Sequence, residues 1–278
     1  MLIRKDFSSS NGKMEVFLTI GFFDGIHLGH RRIIEKVVER AKKEGCQSCV
    51  VTFNRHPDEL FSGKKVFLLT SWEEKRELFE EMGVDVVQIF TFDRKFAALS
   101  PEAFLEKLNK IFKIRQIIVG EEFVFGAKKS GDIAFLTRKA SEFGFTVEAH
   151  PCVRLDGEKI SSSLLRKWFQ EGKIKKVIAG LGRFPTIYGK VTPGRKKGRE
   201  LGYPTANLEP HPEKLLPAKG VYAGYVRKNG EIYKALANIG ERPTFGDFTC
   251  QVEVHLMGFE GELYGEIIKM EVVEKIRD

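Results

Sequence analysis

The chain has 278 residues, 42% hydrophobic and 30% charged, with 46 Lys+Arg against 38 Asp+Glu and a net charge of +8. This length exceeds the usual single core and points to two domains, while four cysteines are too few for a disulfide scaffold. With no apolar run near the roughly 20 residues that span a bilayer, and no signal-peptide pattern at the start, a cytoplasmic protein is expected; the net charge admits nucleic acid or polyphosphate as partner without choosing.

The first half alternates strand and helix. "MEVFLTI" reads as a strand, and "RRIIEKVVERAKKEG" as an amphipathic helix with Ile33, Ile34, Val37, Val38 and Ala41 at helical spacing, stopped by Gly45. "CVVTF" is a short apolar strand whose first residue, Cys49, forms a CxxC with Cys46, a pair that reads as two buried thiols or, more weakly, a redox pair. "SWEEKRELFEEMG" opens with the capping-box pair Ser71 and Glu74, and "VDVVQIF" follows as a strand. "SPEAFLEKLNKIFK" has Ser100 as cap and Pro101 at the first helical position. "RQIIVG", the helix "DIAFLTRKASEFG" and the strand "FTVEA" come next, and a helix around Leu164 to Ala179 closes this half. Apolar strands alternating with helices indicate a parallel α/β sheet, whose ligands bind beyond the strands' carboxyl ends. "GFFDGIHLGH" and "VGEEFVFG" both lie at such ends.

From about Pro185, Gly, Pro and β-branched residues dominate. "VYAGYVRKNGEIYKALANIG" reads as two strands joined at Asn229-Gly230, a strong hairpin signal. "CQVEVHLMG" and "ELYGEIIKMEVVEKI" are further strands, giving a small antiparallel barrel. The boundary falls in "GLGRFPT", so the expected domains are residues 1–184 and 185–278.

In "GFFDGIHLGH", Gly21 and Gly25 allow a tight turn, and a helix begins near His27 and His30. A helix N-terminus carries unpaired N–H groups and a positive dipole end, which favour phosphate. Histidines three apart lie on nearly one face and could grip a triphosphate together. Metal ligation and ordinary core or surface histidines stand as alternatives. Further on, "GEKISSSLLRKWF" opens a helix with three serines and Arg166; one serine suffices as a cap, and Arg166 could meet charge on a leaving pyrophosphate.

"GxFDGxHxGH" followed by "ISSS-x-LR" resembles the HxGH nucleotidyltransferase superfamily, closest to the adenylyltransferase module of bifunctional prokaryotic riboflavin kinase/FAD synthetase. "TFNRHP" and "VGEEFVFGAKKSGD" occupy the places of two further motifs. The resemblance implies a Rossmann-like domain in which FMN phosphate attacks the α-phosphate of ATP, giving FAD and pyrophosphate. It implies ATP-binding roles for Gly21, Phe22, Asp24, Gly25, His27, His30, Ser161, Ser162 and Arg166, with His27, His30 and Arg166 acting in catalysis. Glu122, Phe123 and Phe125 are the flavin-binding candidates, with Phe23 also available for the ring. Three residues depart from the family pattern: Glu122 stands for an Asp or Asn, Ser163 for a Thr, and Arg55 for a Pro.

In the second half "YGKVTPGRKKGRELGYPTANL" is rich in glycine and basic residues, whose loop could approach phosphate or serve as a basic surface patch. Thr205 and Asn207 of "PTAN" offer oxygens suited to magnesium, or simply form a turn. The run resembles the riboflavin kinase signature, and "NIGERPTFG" and "VEVHL" resemble its later motifs. This implies a Greek-key barrel that transfers the γ-phosphate of ATP to the riboflavin 5′-hydroxyl. Glu253 is then the catalytic base, Gly189, Val191, Gly198, Thr205 and Asn207 bind ATP, and Thr205 and Asn207 serve magnesium. Kinase modules of the family usually run on past the point matching Asp278 with a segment that helps cover the flavin.

The expected protein is therefore a bifunctional enzyme using Mg²⁺ and ATP, with riboflavin, FMN, FAD and ADP as its other small-molecule partners. Neither nucleic acid nor a membrane is expected, and a weak homo-oligomer is left open. The rivals are a single-activity nucleotidyltransferase with a non-catalytic barrel and a basic nucleic-acid-binding protein.

Overall fold

A computed structural model describes residues 1–7, 13–192, 205–244 and 247–278, apart from the side chains of 241–250. Two compact units emerge: Met1–Val66 with Trp72–Ile160, and Phe67–Ser71 with Ser161–Asp278.

The first unit contains β1 (Leu2–Lys5), β2 (Met14–Ile20), α1 (Leu28–Glu44), β3 (Gln47–Phe53), α2 (Pro57–Ser62), α3 (Trp72–Glu81), β4 (Val86–Phe90), α4 (Arg94–Ala97), α5 (Pro101–Ile111), β5 (Phe112–Gly120), α6 (Ile133–Phe143) and β6 (Thr146–His150), then a two-residue hairpin, β7 (Arg154–Leu155) and β8 (Glu158–Lys159). The six longer strands form one parallel sheet in the order β1-β4-β3-β2-β5-β6. Its central strands are mostly apolar and mostly buried because both faces are covered. Val16, Leu18 and Ile20 of β2 join Phe104, Leu108 and Leu136 on one face, while Phe17 joins Ile33 and Val37 on the other. From β2 the chain builds outward through β3 to β4, then returns to place β5 on the opposite side of β2. Strand order therefore reverses between β2 and β5, and the loops leaving their carboxyl ends diverge and open a crevice. Those loops carry "GFFDGIH" and "EEFVFG".

The second unit contains α7 (Ser162–Gln170), α8 (Ile174–Leu181) and six strands: β9 (Thr186–Thr192), β10 (Ala206–Pro210), β11 (Gly220–Lys228), β12 (Glu231–Thr244), β13 (Asp247–Leu256) and β14 (Ile267–Arg277). The strands close into an antiparallel barrel in the order β10-β13-β12-β11-β14-β9. Hairpins join β11, β12 and β13, and β14 returns to lie beside β11, which is Greek-key order. The β11–β12 turn has Asn229 and Gly230 both at positive φ, 52° and 83°, as a two-residue hairpin of matching twist requires. Val191, Leu208, Tyr222, Ala237, Val252, Val254 and Met270 fill the interior. The Tyr222 hydroxyl donates to Ala218 O at 2.5 Å, and burial pushes its pKa up to about 12. Phe67–Ser71 is held in this unit by backbone hydrogen bonds from Leu68 and Leu215, and buried Lys214 donates to Leu69 O at 2.6 Å.

The single helix expected around Leu164 to Ala179 is two. Gly172 adopts a φ of 69°, the N–H groups of Glu171 and Lys173 bond back into the end of α7, and α8 restarts at Ile174. Apolar spacing continues across the break, which is why periodicity alone joins the two helices.

Candidate active sites

The turn after β2 is built under strain. Phe23 and Ile26 hold φ values of 56° and 38° on either side of Gly25 at 77°. For an aromatic and a β-branched residue such values cost about 1–3 kcal/mol each, so surrounding contacts must impose them. Phe23 is 3% exposed, against Phe79 and His30. The Phe22 carbonyl accepts from Lys75 Nζ at 3.0 Å and from Thr52 Oγ1 at 3.3 Å, and the Lys75 ammonium lies 4.0 Å from the centre of the Phe22 ring. Asp24 is buried within the turn.

His27 is the N-cap of the 17-residue α1, its Nδ1 accepting from the His30 N–H at 3.3 Å. A neutral imidazole accepting at Nδ1 carries its proton on Nε2, so His27 is a donor there. The His27 and His30 rings stack with centroids 3.7 Å apart and planes 18° from parallel. The stack explains the glycine between them: a Cβ on Gly29 would come within 3.1 Å of the His27 ring. Burial, then the neighbouring His27, then Lys75 hold the His30 pKa well below 6.5. His30 Nδ1 is buried without a hydrogen-bond partner among the described residues. Two stacked imidazoles and the first N–H groups of a long helix thus share the carboxyl end of the central strand. This arrangement offers donors to an anion. Among the described residues no group of three or more His, Cys, Asp or Glu could hold a metal ion.

After β5, Glu122 is exposed and paired with Lys159. Phe125 is 9% exposed, stacks with Phe123 at 5.5 Å and meets Phe104 and Phe135, so it packs in the sheet's core. Phe123 is half-buried beside it. His56, from "TFNRHP", caps α2, and its ring lies 4.8 Å from that of Phe22.

Ser161, Ser162 and Arg166 lie together at the start of α7 in the second unit. Ser161 Oγ is the cap, accepting from the Leu164 N–H at 3.2 Å, and Arg166 donates to Ser163 Oγ at 3.3 Å. One serine caps, as a helix start requires, and a second meets the arginine.

On the barrel, Asn207 of β10 pairs in register with Glu253 of β13, whose neighbours Val252 and Val254 point inward. Gln251 Nε2 donates to Asn207 Oδ1 at 3.0 Å and to Glu253 Oε1 at 2.6 Å. Thr205 is exposed one residue before β10. Thr205, Asn207 and Glu253 offer the hard oxygen donors that suit magnesium, and Asn207 Oδ1 keeps a second lone pair beside its bond to Gln251. Gly189 faces Pro210, and its backbone runs so close to β10 that a Cβ would lie 2.6 Å from Glu209 O. Val191 is 1% exposed inside the barrel, its N–H and C=O bonded to Glu266 and Gly265. Gly198 lies outside the described residues. Lys75 and Gln251 are the polar groups at these sites that motif reading passed over, while Thr52 opens "TFNRHP".

A turn that offers donors to an anion on a doubly wound sheet, together with a barrel bearing a carboxylate among amide side chains, suits an enzyme that handles phosphates at two sites. Residues 9–164 match the model for FAD synthetase and residues 181–278 that for riboflavin kinase. The chain is 37% identical to the bifunctional riboflavin kinase/FMN adenylyltransferase of Haemophilus influenzae over 264 residues, 94% of this chain and 85% of that protein. It is likewise 37% identical to the protein so named from Escherichia coli K12, over 94% and 84% of the two chains. It belongs to the bifunctional riboflavin kinase/FMN adenylyltransferase family. A crystal structure described as a macrolide-efflux protein from Streptococcus pneumoniae superposes with a TM-score of 0.89 at 27% identity, covering 100% of this chain and 92% of that one. Among the described residues here, no helix is long and apolar enough to cross a membrane.

Proposed function

We propose that the chain phosphorylates riboflavin to FMN with ATP and then adenylylates FMN with a second ATP, releasing FAD and pyrophosphate. Residues 1–184 are assigned to adenylyl transfer and 185–278 to the kinase. The observation that carries the reading is the pair of clusters: the His27–His30 stack on the α1 N-terminus and the Asn207–Gln251–Glu253 group on the barrel.

In adenylyl transfer the FMN phosphate is itself the nucleophile, so the protein's task is to position and to stabilise charge. His27 and His30 donate to the ATP phosphates, the turn from Gly21 to Gly25 lets the triphosphate approach the α1 amides, and Arg166 with Ser161 and Ser162 meets the departing pyrophosphate. Glu122, Phe123 and Phe125 are assigned to the flavin. In phosphorylation a hydroxyl must be oriented and lose its proton, and Glu253 is assigned as its acceptor. Thr205 and Asn207 would hold Mg²⁺, which neutralises phosphate charge when bound; Gly189, Val191 and Gly198 complete the assigned nucleotide region. The protein is assigned to the cytoplasm, with small-molecule partners only.

The test is to incubate the protein with Mg²⁺ and ATP and either riboflavin or FMN, then separate the flavins. No FMN from riboflavin overturns the kinase assignment; no FAD from FMN overturns the other. His30→Ala should abolish FAD formation and spare FMN formation, and Glu253→Ala should do the reverse.

A further inference from the structure

We propose that Gln251 is a positioning residue of the kinase site, fixing which way both Glu253 and Asn207 face. This rests on the assignment of those two residues to riboflavin phosphorylation. Gln251 and Glu253 are two apart on β13 and so project from the same face of the barrel wall, away from Val252 and Val254. Asn207 stands across the ladder from Glu253. A half-buried carboxylate and amide on a barrel exterior have several rotamers open to them, and a catalytic pair needs one.

The Gln251 amide supplies the constraint through donor–acceptor logic. An ionised carboxylate only accepts, so Glu253 Oε1, at 2.6 Å, requires the NH₂ end of Gln251 to face it. The same nitrogen lies 3.0 Å from the side-chain amide of Asn207, and its second hydrogen needs an acceptor there. Asn207 must therefore turn its oxygen, not its nitrogen, toward Gln251. Flipping either amide sets donor against donor or acceptor against acceptor. The orientation of Asn207 is thus fixed by the charge on Glu253, relayed by one NH₂ group. The amide leaves Asn207 Oδ1 with one lone pair and Glu253 with Oε2, and both become defined in direction.

The test uses the full chain with two variants. Gln251→Glu keeps the shape but replaces the donor with an acceptor facing two oxygens; Gln251→Leu removes the polar end. Each should lower kcat for FMN formation by about 10-fold to 100-fold, the range that misplacing reacting groups produces, with KM for riboflavin within about twofold. The melting temperature and the rate of FAD formation from FMN should stay at wild-type values. By calorimetry, ADP with Mg²⁺ should bind the variants more weakly through the altered Asn207, a readout independent of turnover. Unchanged kcat and unchanged ADP affinity in Gln251→Glu would overturn the proposal, as would a kcat loss that tracks a loss of melting temperature in both variants. If Glu253→Ala leaves FMN formation intact, the failure lies in the kinase assignment; if Glu253→Ala abolishes it while Gln251→Glu does not affect it, only the positioning role fails.

Discussion

His27 accepts the His30 N–H at its Nδ1 and stacks its ring on that of His30 at 3.7 Å. One contact caps α1; the other makes the two imidazoles poor neighbours when both are charged. The consequence for His30 is a pKa held well below 6.5, first by burial and then by the charges of His27 and Lys75. In the unfolded chain the imidazole titrates near its ordinary value. Between the two values the unfolded state binds the extra proton, so this contribution to stability is complete above about pH 6.5 and declines as pH falls toward the folded pKa. Thermal melts from pH 7.5 down to pH 5 should show a steeper loss for the wild type than for His30→Gln, which cannot take up that proton. Identical slopes would show that His30 is not the group responsible.

Lys75 reaches the same turn from α3. It holds the Phe22 carbonyl and places a positive charge near His30. Lys75→Met should loosen the turn and lower the rate of FAD formation by about 10-fold, as small displacements of binding groups do. It should also allow His30 to protonate more readily, moving the acid limb of FAD formation to higher pH. FMN formation should be unaffected. A pH profile that keeps its acid limb in place would remove Lys75 from the electrostatics of the site.

These two residues mark where sequence reading reaches and where it stops. The strand-end position of "GFFDGIHLGH" was legible because apolar strands alternate with amphipathic helices, and Asn229-Gly230 announced its hairpin by turn chemistry. The parallel sheet and the closed barrel followed from the same local signals. Lys75 to Phe22 and Gln251 to Asn207 join residues 53 and 44 positions apart, and nothing in local spacing announces either. β1 was equally silent: it is four residues, mostly exposed, ordered by pairing with β4 rather than by an apolar pattern of its own. The α7–α8 break was hidden because apolar spacing runs through Gly172.

Gly189 separates a packing role from a ligand role. The resemblance assigns it to ATP, while the barrel supplies a reason of its own in the 2.6 Å that a Cβ would leave to Glu209 O. Because the obstacle is backbone, β9 and β10 must move apart. Gly189→Ala should therefore destabilise the protein by about 1–3 kcal/mol, the usual cost of overpacking. Denaturant melts without nucleotide measure this directly. An unchanged midpoint, with KM for ATP raised in FMN formation, would instead give Gly189 to the nucleotide.

Cys46 and Cys49 meet their last test in reactivity. Cys49 is fully buried in β3, and desolvation pushes its thiol up to about 12. Cys46 is half-buried just before the strand, its Sγ near Glu44 O at 3.6 Å, and burial raises its pKa as well. The nucleophile in alkylation or disulfide exchange is the thiolate, and at pH 7.5 a thiol titrating near 12 supplies roughly one in thirty thousand. Iodoacetamide at that pH should leave Cys49 unmodified in the folded protein and label it fully in denaturant, as mass mapping would read. A mild oxidant should leave both flavin-forming activities intact. Native-state labelling of Cys49, or a Cys46–Cys49 disulfide formed under that oxidant, would establish the redox pair that the burial of Cys49 argues against.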